Sequence, residues 1–249
     1  MAGRIDEMTY VELHKRIAAK QDTLVWAVGT LEAHGKHLPL GSDTFLAQGI
    51  AERIADAIGA ILAPELHYGI TGSLLPYPGG ITIDPRSYAG LIRGALEGFF
   101  AAGFRKVVIS NGHGGNTDVL QKTIRRLTPK YPDRLMIAFD WYMLDTEIVR
   151  DVYGGTAGHA GLDETAGIIY FRPELVKEEY FDADDWHLRE AGYLATPAPA
   201  PVIVNDANSA PQLDPDKAKE LFERIIGLLI SRVSRDIALW EANLGRGVR

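Results

Sequence analysis

The sequence contains no cysteine, so neither a disulfide nor a thiolate-bound metal contributes to this fold. Any metal ion must therefore be held by histidine and carboxylate groups. The chain also lacks an apolar run near the ~20 residues that a membrane-spanning helix needs. Residues 1–17 are charged and helical in pattern, which is not typical of a signal peptide. We therefore expect a cytoplasmic protein.

Basic residues do not outnumber acidic ones either. The chain has 33 acidic and 26 basic residues, and its formal net charge is −7. This balance disfavours nucleic acid or an anionic membrane as the main partner, because neither phosphate nor lipid charge would be neutralised. With 46% hydrophobic residues, the chain can bury a sizeable core, as one large α/β domain or two small ones, and no internal repeat or break in composition marks a domain boundary.

Short apolar runs alternate with longer amphipathic ones along the chain. The predicted strands are 24–28, 60–63, 106–110 and 134–139, and the predicted helices are 44–58, 87–102, 117–127 and 215–240. Ser42 or Asp43 could cap the first of these helices, and Asp84-Pro85 should begin the second. Strands that are apolar on both faces favour an α/β fold with a parallel sheet. The proline-rich segment 195–201 is predicted to be a loop or arm.

Three polar clusters each follow a predicted strand or begin a predicted helix. The first contains Glu32, His34 and Asp43, which together offer the oxygen and imidazole ligands that zinc, manganese or iron accept. The alternative is that Glu32 and His34 are ordinary loop residues and Asp43 only caps a helix.

The second cluster places His113 among Gly112, Gly114 and Gly115, a composition that indicates close backbone approach. It matches neither the dinucleotide nor the Walker glycine spacing, and the alternative is a turn with a solvated histidine. The third cluster contains His159 and Glu164, although Glu164 could instead be a capping partner for a helix that begins near Gly161. Three such clusters at strand ends are more consistent with one shared site.

These residues resemble the creatininase family. The segment Gly29–Asp43 is similar to the family pattern Gly-x-x-Glu-x-His-Gly-x-His-Leu-Pro-Leu-Gly-x-Asp. The block 111–116 resembles its Asn-Gly-His-Gly-Gly-Asn block, 159–165 resembles His-Ala-Gly-x-x-Glu-Thr, and Pro78-Gly79 matches an intervening Pro-Gly. The resemblance extends from about residue 24 to 171.

The resemblance implies that residues 1–249 form a single domain with a three-layer α/β/α fold and a mostly parallel central sheet, often assembled as a homo-hexamer. It also implies two divalent metals per chain (Zn, Mn or Fe). At the matching positions of the family motifs, Asp43 would bridge the two ions and His159 would be an acid–base residue. Glu164 would be both a metal ligand and a catalytic residue. The implied ligands are Glu32, His34, Asp43, His113 and Glu164. The implied substrate-binding positions are Ser73, Gly114 and Gly115.

The family hydrolyses amide C–N bonds, chiefly in cyclic or formylated small molecules. Creatininases proper carry Tyr-Glu where this chain has Gly114-Gly115, and Trp-Asp where it has Gly155-Thr156. We therefore expect a dinuclear amidohydrolase whose substrate is not creatinine. The alternatives are a peptidase acting on a short peptide in cofactor maturation, and a metalloprotein that binds a small molecule without turnover.

Overall fold

A computed structural model describes residues 2–72, 74–75, 77–144, 146–155, 157–181 and 214–244. Ser73, Thr156 and the proline-rich segment 195–201 lie outside the described residues. Within the described part, no helix combines the length and the apolar character needed to cross a membrane.

Four parallel strands form the sheet in the order β2-β1-β3-β4. They are β1 (Thr23–Val28), β2 (Ile61–Leu62), β3 (Lys106–Asn111) and β4 (Leu135–Asp140). All four were predicted, with ends that differ by one residue. The register pairs Val28 with Asn111 and Asn111 with Asp140, so the carboxyl ends of β1, β3 and β4 share one edge.

The chain leaves β1 towards β2 and later returns to β3 on the other side of β1. Such a reversal opens a crevice between the carboxyl ends of the two neighbouring strands, and open α/β sheets bind ligands in that crevice. The strand order therefore predicts a ligand-binding site in the region just beyond Val28 and Asn111.

Seven α-helices surround the sheet in the described part of the chain. They are α1 (Tyr10–Ala18), α2 (Ser42–Ile58), α3 (Pro85–Ala101), α4 (Gly114–Leu127), α5 (Thr146–Tyr153), α6 (Leu162–Phe171) and α7 (Pro215–Leu244). The short α5 was not predicted. Asp84 caps α3 as predicted, because its side chain accepts hydrogen bonds from the backbone of Arg86 and Ser87.

The capping prediction for α2 was wrong. Gly41 is the N-cap residue, while Ser42 and Asp43 lie in the first turn. Ser42 Oγ donates to the carbonyl of Pro39 at 2.7 Å, and the buried Asp43 side chain contacts two histidines instead of the helix backbone. Asp43 thus lies where the amino-terminal end of the helix dipole stabilises a carboxylate, without serving as a cap.

Two hydrophobic clusters lie on opposite faces of the sheet. Val25, Ala27 and Val108 belong to the cluster that includes apolar residues of α2, α5, α6 and α7. The alternating residues Leu24 and Trp26 belong to a second cluster with α3 and α4. The strands are apolar on both faces because helices cover both. This is the three-layer α/β/α arrangement that the resemblance implied.

Gly167 provides a test of the packing of α6 against α2 and α7. A Cβ added to Gly167 would lie 2.2 Å from Leu46 Cδ2 and 2.6 Å from Phe222 Cζ. We expect Gly167→Ala to lower the free energy of unfolding by about 1–3 kcal/mol through overpacking. Gly94→Ala in α3 is the matched control, because its new methyl group would meet nothing within 4 Å and should stabilise the helix slightly. Denaturant unfolding of both variants measures the difference, and equal stabilities would contradict this description of the contact.

Candidate metal centre

Six candidate residues from three separate clusters meet at the carboxyl edge of the sheet. Four of them are at least 93% buried, namely Glu32, His34, Asp43 and Glu164. The other two, His113 and His159, are partly exposed, with side-chain exposures of 12% and 26%. The structure therefore brings the three clusters together in one place, and they are not separate loop residues.

The six residues can come together because Gly29 and Gly112 have no side chain. A Cβ on Gly112 would lie 2.0 Å from the carbonyl oxygen of Asp43, and one on Gly29 would lie 2.5 Å from the backbone nitrogen of Thr44. The first turn of α2 consequently rests directly on the ends of β1 and β3. This contact brings Asp43 between the histidines that follow the two strands.

The two oxygens of Asp43 face different histidines. Oδ1 lies 2.9 Å from His34 Nε2, and the same nitrogen is 3.7 Å from Glu164 Oε2. Oδ2 lies 3.0 Å from His113 Nδ1, which is also 3.3 Å from Glu32 Oε1. Asp43 is therefore shared between two half-sites, one containing His34 and Glu164 and the other containing His113 and Glu32.

Backbone carbonyls orient all three imidazole rings. His34 Nδ1 lies 3.1 Å from the carbonyl of Glu32, His113 Nε2 lies 2.8 Å from that of Ile70, and His159 Nε2 lies 2.7 Å from that of Ala33. A nitrogen that donates to a carbonyl carries the ring proton, so the other nitrogen of a neutral ring keeps its lone pair for a metal. In each ring that other nitrogen points towards the carboxylates.

The carboxylates of the cluster strongly favour positive charge on the neighbouring histidines. Burial by itself lowers the pKa of histidine, but Asp43 and the neighbouring glutamates outweigh it, raising the pKa of His34 to about 10 and that of His113 to about 11. Burial would raise the pKa of Asp43, yet these two histidines lower it. Protons on the rings thus neutralise carboxylates that a cation would otherwise neutralise.

His159 and Glu164 have different environments from the other four. Burial, followed by repulsion from His34, lowers the pKa of His159 to about 4, and burial raises the pKa of Glu164. His159 Nδ1 is 3.8 Å from Glu32 Oε1 and 4.0 Å from Glu164 Oε2, longer than the corresponding contacts of His34 and His113 with Asp43. Glu164 Oε2 also accepts a 2.5 Å hydrogen bond from the backbone of Ala160, the residue before the N-cap Gly161, so it does not form the capping-box bond to the N-cap that was the alternative.

These donors fit divalent ions. Donor atoms within 4.8 Å of one another occur in the triads Glu32–Asp43–His113 and His34–Asp43–Glu164, and a third grouping joins Glu32, His34 and His159. Asp43 Oδ2 is buried and makes no hydrogen bond of normal geometry, although His113 Nδ1 is 3.0 Å away. An ion lying between the two atoms would satisfy both, and mixed carboxylate and imidazole donors suit zinc, manganese or iron.

A cavity of about 500 Å³ opens onto this cluster. Gly114 and Gly115, two of the expected substrate-binding positions, line it, while the third, Ser73, lies outside the described residues. Tyr142 also lines the cavity and was not predicted, because nothing in its local sequence marks it.

Two buried residues beside the site were also missed or left without a role. Asn116 Nδ2 donates to the carbonyl of Gly29, and its Oδ1 accepts from the backbone of Ile70, so it holds the segments after β1 and β2 against the start of α4. His37, for which no role was predicted, is buried with Nε2 3.0 Å from Thr165 Oγ1. The Gly-Gly-Asn run containing Asn116 was the only local sequence signal that pointed to either of these two residues.

Comparison with known proteins agrees with this geometry. The creatinine amidohydrolase of Pseudomonas putida is 26% identical over 189 residues, which is 69% of this chain and 73% of that protein. The mycofactocin precursor peptide peptidase of Mycobacterium ulcerans (strain Agy99) is 28% identical over 228 residues, or 84% and 83% of the two chains.

Solved structures of creatininase share the fold. A mutant creatininase described as the Zn-Zn type has a TM-score of 0.81 and 22% identity, covering 95% of this chain and 98% of its own. A creatininase described as the Mn form has the same TM-score and identity, covering 95% and 99%. The family model for creatininase, described as creatinine amidohydrolase, matches residues 6–233. The chain therefore belongs to the creatininase family.

Proposed function

We propose that this protein is a metal-dependent amidohydrolase that cleaves a C–N amide bond of a small cyclic or formylated molecule at a dinuclear centre. The observation that carries the proposal is the position of Asp43. Its two oxygens face two separate sets of ligands, His34 with Glu164 and His113 with Glu32. A carboxylate shared in this way is suited to bridging two ions.

Five residues would hold the ions, namely Glu32, His34, Asp43, His113 and Glu164. Two divalent ions carry a charge of +4 against −3 from the three carboxylates, so the pair compensates charges that are costly to bury. When bound, such ions polarise an amide carbonyl and lower the pKa of a water molecule. Relatives described as Zn-Zn and Mn forms support zinc or manganese as the occupants.

His159 would move the proton. Its Nε2 donates to the carbonyl of Ala33, which leaves the lone pair on Nδ1, and the ring lines the cavity. Its lowered pKa keeps the ring neutral at pH 7 in the metal-free protein, so Nδ1 can accept a proton. That nitrogen would take a proton from the attacking water and return it to the departing nitrogen of the amide.

Creatinine is not the substrate that we propose. Gly114 and Gly115 leave this wall of the cavity without the Tyr-Glu side chains of creatininases proper. A short peptide is a second candidate, favoured by the match to the mycofactocin precursor peptide peptidase over 84% of this chain. A binding protein without turnover is disfavoured, because binding alone does not require His159 beside the proposed ligands.

Hydrolysis by metal-loaded protein is the direct test. Zinc- and manganese-loaded samples would be incubated with cyclic amides, formamides, short peptides and creatinine, and the products followed by mass spectrometry. We expect turnover of a cyclic amide or formamide and little of creatinine. Cleavage of peptides alone would favour the second candidate, and binding without any product would support the non-catalytic alternative.

The first prediction concerns the shared carboxylate. Wild-type protein should hold close to two divalent ions per chain, and Asp43→Ala should lose both, because each ion loses a ligand. Metal analysis after extensive dialysis gives the stoichiometry. Glu164→Gln is the matched variant, and it should weaken only the half-site with His34, because an amide is a poorer ligand than a carboxylate. Loss of a single ion from Asp43→Ala would contradict the bridging role.

The second prediction separates the proton carrier from the ligands. His159→Ala should retain a metal content near the wild-type value, while kcat falls by roughly 10²–10⁴-fold, the usual contribution of a positioned acid–base group. Metal analysis and kinetics on one preparation check both parts. If His159→Ala loses an ion, the third grouping of donors, with His159 as a ligand, is the correct description.

The third prediction compares two adjacent glycines. A Cβ on Gly115 would lie 2.1 Å from the carbonyl oxygen of Ile70 and 2.4 Å from His113 Nε2, the two atoms whose hydrogen bond orients His113. We expect Gly115→Ala to weaken metal binding by about 10–100-fold, as the loss of such orienting contacts does. Gly114→Ala is the control, because its Cβ would meet only the Tyr142 oxygen, at 3.7 Å. Equal affinities of the two variants would refute the orienting role of Ile70.

A further inference from the structure

One wall of the cavity carries a hydroxyl group that the proposed chemistry does not use. Tyr142 lies in a short 3-10 turn directly after β4, and its ring lines the cavity beside the metal ligands. Its oxygen would be 3.7 Å from a Cβ placed on Gly114, the residue after His113. Burial raises the pKa of Tyr142, so the phenol keeps its proton at neutral pH.

A hydrogen-bond network behind the ring uses that proton. The Tyr142 oxygen lies 3.0 Å from Thr117 Oγ1, and Thr117 Oγ1 donates to Asp140 Oδ1 at 3.1 Å. Asn111 Nδ2 donates to the same Asp140 oxygen at 2.6 Å and lies 3.2 Å from Thr117 Oγ1. The three partners belong to β3, α4 and β4, so the network is fixed by the sheet and the helix rather than by a loop.

The negative charge of Asp140 decides the direction of the bond between Thr117 and Tyr142. A threonine hydroxyl has one proton, and the carboxylate of Asp140 is a stronger acceptor for it than the phenol oxygen, so Thr117 donates to Asp140. Thr117 can then only accept from Tyr142, so the phenol proton points into the network and away from the cavity. What remains for a ligand is a lone pair on the Tyr142 oxygen, which makes this residue an acceptor in the site.

We infer that Tyr142 is a specificity-determining residue that selects ligands with an N–H or O–H donor adjacent to the carbonyl held at the metal centre. The expected substrates are therefore amides that have such a donor, such as a cyclic amide or a formamide without a substituent on the amide nitrogen. An N-methylated analogue would cover this acceptor without pairing it and is therefore disfavoured. This inference rests on the proposed function, since it places the carbonyl at the ions.

The test uses two hydroxamates, because both chelate divalent ions and neither requires turnover. Zinc-loaded protein of measured metal content would be titrated by calorimetry with acetohydroxamic acid, which has an N–H group, and with N-methylacetohydroxamic acid, which has none. We expect the wild type to bind the N–H compound about 2- to 10-fold more tightly, the range for one net hydrogen bond. Tyr142→Phe should bring the ratio close to one without changing metal content.

Tyr10→Phe is the matched control, because it makes the same chemical change at an exposed residue of α1. This variant should keep the wild-type ratio of the two affinities. A preference for the N–H compound that persists in Tyr142→Phe would show that the methyl group is rejected sterically and would overturn the inference. Equal binding of both compounds by the wild type would also overturn it and leave the metal centre intact. Failure of both hydroxamates to bind, or of zinc to load, would instead refute the proposed function and the inference together.

Discussion

The contact of α2 with the ends of β1 and β3 is the constraint on which the rest of the site depends. Asp43 lies in the first turn of that helix, and its carbonyl oxygen occupies the space that a side chain on Gly112 would need. A larger residue at that position would push the helix away from the sheet. The two oxygens of Asp43 would then no longer reach His34 and His113, and the two half-sites would separate.

The fold also supplies the electrostatic conditions for this cluster. Asp43 and Glu164 both lie in the first turn of a helix, where the unpaired amide groups favour negative charge. Carbonyl groups from neighbouring loops hold the rings of His34, His113 and His159 in one orientation. These contacts stabilise a set of buried charges that would destabilise the fold if they lacked partners. A preorganised ligand set of this kind is what rapid and specific metal binding requires.

The same edge of the sheet positions the groups that would contact the substrate. Gly114 and Gly115 begin α4 directly after His113, and Tyr142 follows β4, whose last residue pairs with Asn111. The pairing of β3 with β4 therefore sets the separation between the candidate metal ligands and the Tyr142 hydroxyl. Changes in the loops at this edge would alter which small molecule is accepted and would leave the candidate metal-binding residues in place. This agrees with the different activities of the relatives.

The sequence by itself determined the strands, the parallel α/β class and the six residues of the candidate site. Apolar runs of strand length carry the first two, and the spacing of His, Glu and Asp around glycines carries the third. These signals are local, because each depends on a few consecutive residues. The tertiary structure decided what depends on distant partners: the N-cap of α2 at Gly41 rather than at Ser42 or Asp43, the existence of α5, and the position of Tyr142. Asp43 could not be distinguished from a simple helix cap until the histidines that compete for its oxygens were in place, since they come from loops beyond two different strands.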